Sequence, residues 1–227
     1  MIILHIETST TVCSVALSKN GQCIFSKSND QGMNHAALLS IFIDEALEQL
    51  KASGQKPDAI AVSSGPGSYT GLRIGVSTAK GLCYGYEIPL ISVSTLEIMT
   101  IAALKCDVNK DAYFCPMIDA RRMEVYAAFY NAAMDVISNI SADIIDNNSY
   151  SEILQKNTVY FFFFFAEKCK TTIPHHNAKF TDSINPLAEN MIELAENAFR
   201  NKQFVDVAYF EPFYLKEFYT TAKKLNL

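Results

Sequence analysis

The stretch Ser63-Ser64-Gly65-Pro66-Gly67-Ser68-Tyr69-Thr70-Gly71-Leu72-Arg73 narrows the folding options of this chain more than any other segment. It follows an apolar run at 59–63 and precedes a segment with helical spacing over 70–84, so it reads as a strand-to-helix connection. Glycines permit close backbone approach, and a helix N-terminus with free N–H groups attracts anions. Three readings stay open here: a phosphate or nucleotide edge, a tightly packed interface, or a tight turn that lets the helix pack closely. Gly71, Gly75 and Gly81 within the helix support close packing. The stretch is not a Walker A loop, because no Gly-Lys-Ser/Thr follows. Nor is it a nucleophile elbow, because no glycine stands two residues after Ser68.

The flanking sequence predicts an α/β chain. Residues 2–6, 12–18 and 22–28 read as antiparallel strands, with Asn20-Gly21 in a type I′ turn between the last two. A helix is predicted over 35–51, strands over 59–63 and 88–93, and a helix from Ser94 or Thr95 to about 104. In the second half, strands are expected at 112–119, 124–131, 136–145 and 159–165, with a short helix at 150–155. Asn185-Pro186 reads as a cap and first turn for a helix running to about 201. All nine glycines lie at or before Gly85, which places a lobe boundary near 106–110. The expected division is 1–106 and 107–227, and the final segment can return to the first lobe.

The helix over 35–51 is apolar on more than one side. It is buried within one chain or covered by a partner, and both readings stay open. Glu7-Thr8-Ser9, after the first strand, is turn chemistry or a metal–phosphate contact. Arg121-Arg122 hold a phosphate or a partner's carboxylate, or else one of them pairs with Asp119 or Glu124 across a hairpin.

Net charge is −5 with only four arginines, so a chain gripping RNA alone is not expected. The six cysteines form no CxxC pair, and they read as reduced thiols rather than a zinc site. The start of the chain lacks a basic n-region, and the apolar run 159–166 is too short to span a bilayer. The expected location is therefore the cytoplasm, with no membrane contact.

Five features, in order, resemble the TsaB (YeaZ-type) family: Ile6-Glu7-Thr8-Ser9, the hairpin that follows it, the glycine stretch from Ser64 through Gly75, Ile118-Asp119-Ala120-Arg121-Arg122-Met123-Glu124-Val125-Tyr126, and Glu211-Pro212-Phe213-Tyr214-Leu215. The resemblance covers nearly the whole chain. It implies a two-lobed actin/Hsp70/sugar-kinase-like (ribonuclease H-like) fold. It also implies a non-catalytic partner of the TsaD subunit, which transfers threonylcarbamoyl to tRNA adenosine beside the anticodon. The implied partners are a TsaD-like catalytic subunit, a TsaE-like ATPase, tRNA only through the complex, and a second copy when alone. The expected partner surface is His35, Leu38, Leu39, Phe42, Ala46, Tyr69, Arg73, Val76 and Lys80. Glu7, Thr8, Ser9, Gly65, Gly67 and Ser68 are candidates for a nucleotide or phosphate contact. No cofactor is expected to bind tightly, with ATP or ADP held at a composite site shared with partners.

Two departures from the family pattern bear on chemistry. The His-x-x-x-His metal pair of the transferases falls on Thr95 and Met99 here, which are poor ligands for a hard cation or iron. His5, His35, His175 and His176 do not repair this. In the second lobe, Phe162-Phe163-Phe164-Phe165-Ala166 occupies the place of a glycine-containing loop and blocks close phosphate approach. Five consecutive aromatics at 161–165 also exceed what one strand face can bury. The rival readings are an ATP-binding phosphotransferase and a glycoprotease-type metallopeptidase.

Overall fold

The computed structural model describes residues 1–32, 34–106, 108–120, 122–164, 169–181 and 184–215, with the backbone alone at 163 and 164. Strand β1 (Ile2–Glu7) is buried at every residue. It lies mid-sheet with both faces covered, and this produces a continuous apolar run instead of an alternating one. Ile2, Leu4 and Ile6 enter a core with Leu39, Phe42 and Val76, whereas Ile3 enters another with Ile91, Ile98 and Met191. β1 pairs antiparallel with β2 (Cys13–Lys19), and β2 with β3 (Gln22–Asn29). Asn20 and Gly21, both at positive φ, turn that hairpin as the Asn-Gly pair predicts.

Helix α1 (His35–Lys51) and helix α2 (Tyr69–Tyr86) cover one face of this sheet. Strand β4 (Ala59–Gly65) joins β1 in parallel, and β5 (Leu90–Ser94) joins β4. The resulting order is β3-β2-β1-β4-β5. Helix α3 (Thr95–Leu104) is buried on nearly every side. Leu96, Met99 and Ala103 share a core with Val12 of the first lobe and Phe114, Ala128 and Phe162 of the second. That core joins the two halves.

The second sheet comprises β6 (Tyr113–Asp119), β7 (Glu124–Tyr130), β8 (Val136–Ile144), β9 (Val159–Phe164) and β10 (Ala178–Phe180), with a one-turn helix α4 (Ser151–Leu154) before β9. Its order is β8-β7-β6-β9-β10, antiparallel through β6, β7 and β8 and parallel through β6, β9 and β10. This is the first sheet's order repeated. The repeat gives the two-lobed actin/Hsp70/sugar-kinase-like (ribonuclease H-like) α/β architecture that the resemblance implies.

Phe161 and Phe162, the first two of the phenylalanine run, are accounted for by the place of their strand in the sheet. β9 is an inner strand, flanked by β6 and β10. Phe161 points into a core with Phe129 and Ile173, and Phe162 into the joining core with Leu96 and Phe114. Consecutive aromatics therefore alternate between two apolar faces. Phe165 lies outside the described residues.

The last helix departs from expectation. A 3-10 turn, Ala188–Met191, precedes helix α5 (Ile192–Arg200), so Asn185-Pro186 does not cap it. The Ala188 amide donates to the Ser14 hydroxyl of β2 at 2.9 Å. A tertiary contact sets the start of this segment, and no local signal reports it. α5 packs against β1 and β5, and residues 205–215 run on across the first lobe.

Candidate functional site

The glycine stretch is the middle layer of a three-layer stack. Below it lies the turn after β1. The Ser68 amide donates to the Ser9 carbonyl at 2.6 Å, and the Thr8 hydroxyl donates to the Gly71 carbonyl at 2.8 Å. A side chain at Gly67 would collide with the Ser9 backbone. One at Gly71 would meet the Thr8 carbonyl, and one at Gly75 the Thr8 hydroxyl. Above the stretch lies the C-terminal segment, whose Phe213 amide donates to the Ser64 carbonyl at 2.7 Å. Gly65 sits at φ 105, a conformation that L side chains rarely adopt, and a Cβ there would stand a tight 3.0 Å from the Phe213 carbonyl oxygen. Gly81, by contrast, meets nothing. The expectation of close packing at that position is corrected.

Ser68 caps α2, its hydroxyl accepting from the Gly71 amide at 3.2 Å. Glu7, Thr8 and Ser9 are buried. The Ser9 amide donates to Glu7 Oε1 at 2.5 Å. Burial pushes the Glu7 carboxyl up to about 7, against the opposing hydrogen bonds from Ser9 and Ser63. His5, on the same strand, is held down to about 3 by complete burial, and its Nε2 lies 2.9 Å from the Ser18 hydroxyl.

Five of the expected partner residues belong to the chain's own interior. His35, Leu39, Phe42, Ala46 and Val76 are buried against the first sheet, and Leu38 is half-buried on that core. The reason is geometric: a helix packed on a sheet between β2 and α2 needs more than one apolar stripe. The three remaining residues of that set, Tyr69, Arg73 and Lys80, lie on α2 and contact the chain's own C-terminal segment, Tyr69 through the Tyr214 ring, 5.1 Å away between centroids. Lys80 donates to the carbonyls of Ala208 and Phe210, at 2.8 and 3.1 Å. Arg73 donates through Nε to the Tyr214 hydroxyl at 3.3 Å and lies over the Tyr69 ring, 4.1 Å from its centroid.

Arg73 is exposed on α2, and the outward faces of the two helices also carry residues outside that set. On α1 these include Ala37 and Ile41; on α2 they include Ser77, Gly81, Tyr84 and Gly85. Ile41 is 50% exposed and Tyr84 is 85% exposed. The spacing 37/41 and 77/81/84 marked these faces in the sequence, but the surrounding apolar residues masked them.

Asp119 and Glu124 flank the β6–β7 hairpin, where Ala120 donates to the Glu124 carbonyl at 3.1 Å and Arg122 sits at φ 54. Arg121 lies outside the described residues. Thr95 and Met99 are both fully buried at the start of α3, and the Thr95 hydroxyl has no hydrogen-bond partner among the described residues. Among the described residues no group of three or more His, Cys, Asp or Glu side chains is arranged to hold a metal ion.

Residues 29–157, more than half of the chain, match the tRNA N6-adenosine threonylcarbamoyltransferase (TsaD) family. The chain belongs to that family. Within it, the chain is of the TsaB, or YeaZ, type. It is 28% identical to the tRNA threonylcarbamoyladenosine biosynthesis protein TsaB of Haemophilus influenzae, over 98% of this chain and 97% of that one. It is 38% identical to the TsaB of Escherichia coli, across 57% of this chain and 55% of that one. A Pseudomonas aeruginosa crystal structure, described as similar to peptidase YEAZ, superposes with a TM-score of 0.82 at 25% identity. That superposition covers 95% of this chain and 99% of the other. The TsaD-family match spans α1, the glycine stretch and α3, so Thr95 and Met99 fall inside it.

Proposed function

We propose that this chain is a non-catalytic subunit in the biosynthesis of threonylcarbamoyladenosine on tRNA. It binds a TsaD-type catalytic subunit and recruits a TsaE-type ATPase. The observation that carries the reading is the donor set at the start of α3. A member of a transferase family here has a buried threonine and a buried methionine where its catalytic relatives are expected to hold a metal. Hydroxyl and thioether groups in an apolar core are poor ligands for a hard cation. The chain therefore contributes surface rather than a reacting group. tRNA reaches it only through the complex, and ATP or ADP is held at a site completed by partners. Alone it forms a homodimer, and its compartment is the cytoplasm.

The docking surface is the outward face of α1 and α2, centred on Ile41 and Tyr84, where apolar and aromatic area lies open beside small residues. Ile41→Glu and Tyr84→Glu should each abolish copurification with the TsaD-type subunit and leave the thermal midpoint unchanged. Normal copurification of both variants would defeat the assignment of this face. Reconstituted tRNA modification should stop when the chain is omitted.

A further inference from the structure

We infer that Arg73, held by Tyr69 and Tyr214, is a preformed fork for a carboxylate on a protein partner. This rests on the docking role proposed above and adds the chemistry of one contact within it. The guanidinium stacks on the Tyr69 ring, its Nε donates to the Tyr214 hydroxyl, and the two tyrosine rings lie 5.1 Å apart. Those contacts fix the plane of the guanidinium and occupy one donor. Its terminal amino groups have no partner among the described residues, and the side chain is exposed. Two parallel N–H donors from a planar group match the two oxygens of a carboxylate.

Tyr214 is not a loose neighbour. Its segment is tied by the Val205 amide to the Leu90 carbonyl, by Lys80 to two carbonyls and by the Phe213 amide to Ser64. Val207 and Phe210 pack on the core beneath. An exposed arginine ordinarily surrenders rotamer freedom when it binds; here that cost is met by the fold.

The surroundings favour a single carboxylate over a polyanion. Lys80 spends its ammonium on backbone carbonyls, Glu211 lies close enough to act on Arg73 by its charge, and the chain is net −5. A nucleic-acid backbone needs several cations together. A second copy of this chain is a poorer match on α1, whose acids Asp44, Glu45 and Glu48 already face Lys51 or Lys27.

The test is calorimetric titration of the full chain with the TsaD-type subunit. Arg73→Lys keeps the charge and loses the fork, and Tyr214→Phe removes only the hydroxyl that orients it. Arg73→Lys should weaken binding about tenfold, on the scale of one charge-assisted pair. Tyr214→Phe should weaken it about threefold, and the double variant should be no weaker than Arg73→Lys alone. The salt dependence of binding should flatten in Arg73→Ala, a change that a purely structural role would not produce. Wild-type affinity in both single variants overturns the inference while leaving the docking role standing, provided Ile41→Glu still abolishes binding. Failure of the wild-type chain to bind at all defeats the docking role itself. If the variants loosen self-association and spare the TsaD-type subunit, the carboxylate belongs to a second copy and the inference is wrong.

Discussion

Glu7 and His5 sit two residues apart on one buried strand and titrate in opposite senses. Glu7 ordinarily ionises near 4.5 but holds its proton to about 7 in the fold. The folded state therefore binds more protons than the unfolded chain across that window. Glu7's contribution is fully present below 4.5 and is lost as pH rises to about 7. His5 runs the other way: it is neutral in the fold down to about 3, so its contribution is lost as pH falls below 6.5. Comparing wild type with Glu7→Gln cancels the histidine. The difference in unfolding free energy, wild type minus variant, should fall by about 3 kcal/mol between pH 4.5 and 7, the free energy that corresponds to a carboxyl moved from 4.5 to about 7. Urea unfolding at several pH values measures it, and parallel curves for the two proteins would refute the assignment. At the same scale, Gly71→Ala should destabilise by at least about 2 kcal/mol, because backbone of the Thr8 turn stands in the way. Gly81→Ala, in open space on the same helix, should stabilise by up to about 1 kcal/mol. Equal midpoints for the two variants would contradict the stacking geometry.

Among the elements, α1 and α2 show where sequence pattern suffices and where it fails. The helices over 35–51 and 70–84, the Asn-Gly hairpin and the strand–glycine–helix order were all legible, because each rests on local chemistry: spacing, turn residues and caps. The direction of each apolar residue on α1 was not. Leu39, Phe42 and Ala46 look equivalent to Ile41 in composition, yet only Ile41 escapes the sheet. The difference is set by the helix's rotation against β2 and α2, which no single helix encodes. Consequently Leu39→Glu should unfold the protein through an unpaired buried charge, whereas Ile41→Glu should leave it folded. The contacts of Arg73 and Lys80 were hidden for a different reason: their partners lie more than a hundred residues away. The burial of both Phe161 and Phe162 was illegible because β9's place as an inner strand, with apolar cores on both faces, depends on β6 and β10.

At the scale of the molecule, the two sheets are not independent. Leu96 and Met99 of α3 share a core with Phe114 and Phe162 of the second sheet, while Ile98 enters the first sheet's core with Ile3 and Ile91, so α3 is lodged between the two. Removing the Phe162 ring should cost about 3–5 kcal/mol. It should also lower a single melting transition rather than split it, as scanning calorimetry can read. Two separated transitions in the wild-type chain would show instead that each lobe is stable alone. The C-terminal segment adds a matter of timing. Residues 205–215 leave the ribosome after both sheets, yet they supply Tyr214 beside Arg73 and the Phe213 amide that meets the glycine stretch. A nascent chain that has already formed α1 and α2 therefore still lacks the tyrosine that orients Arg73 and the amide that meets the glycine stretch until residues 205–215 have followed.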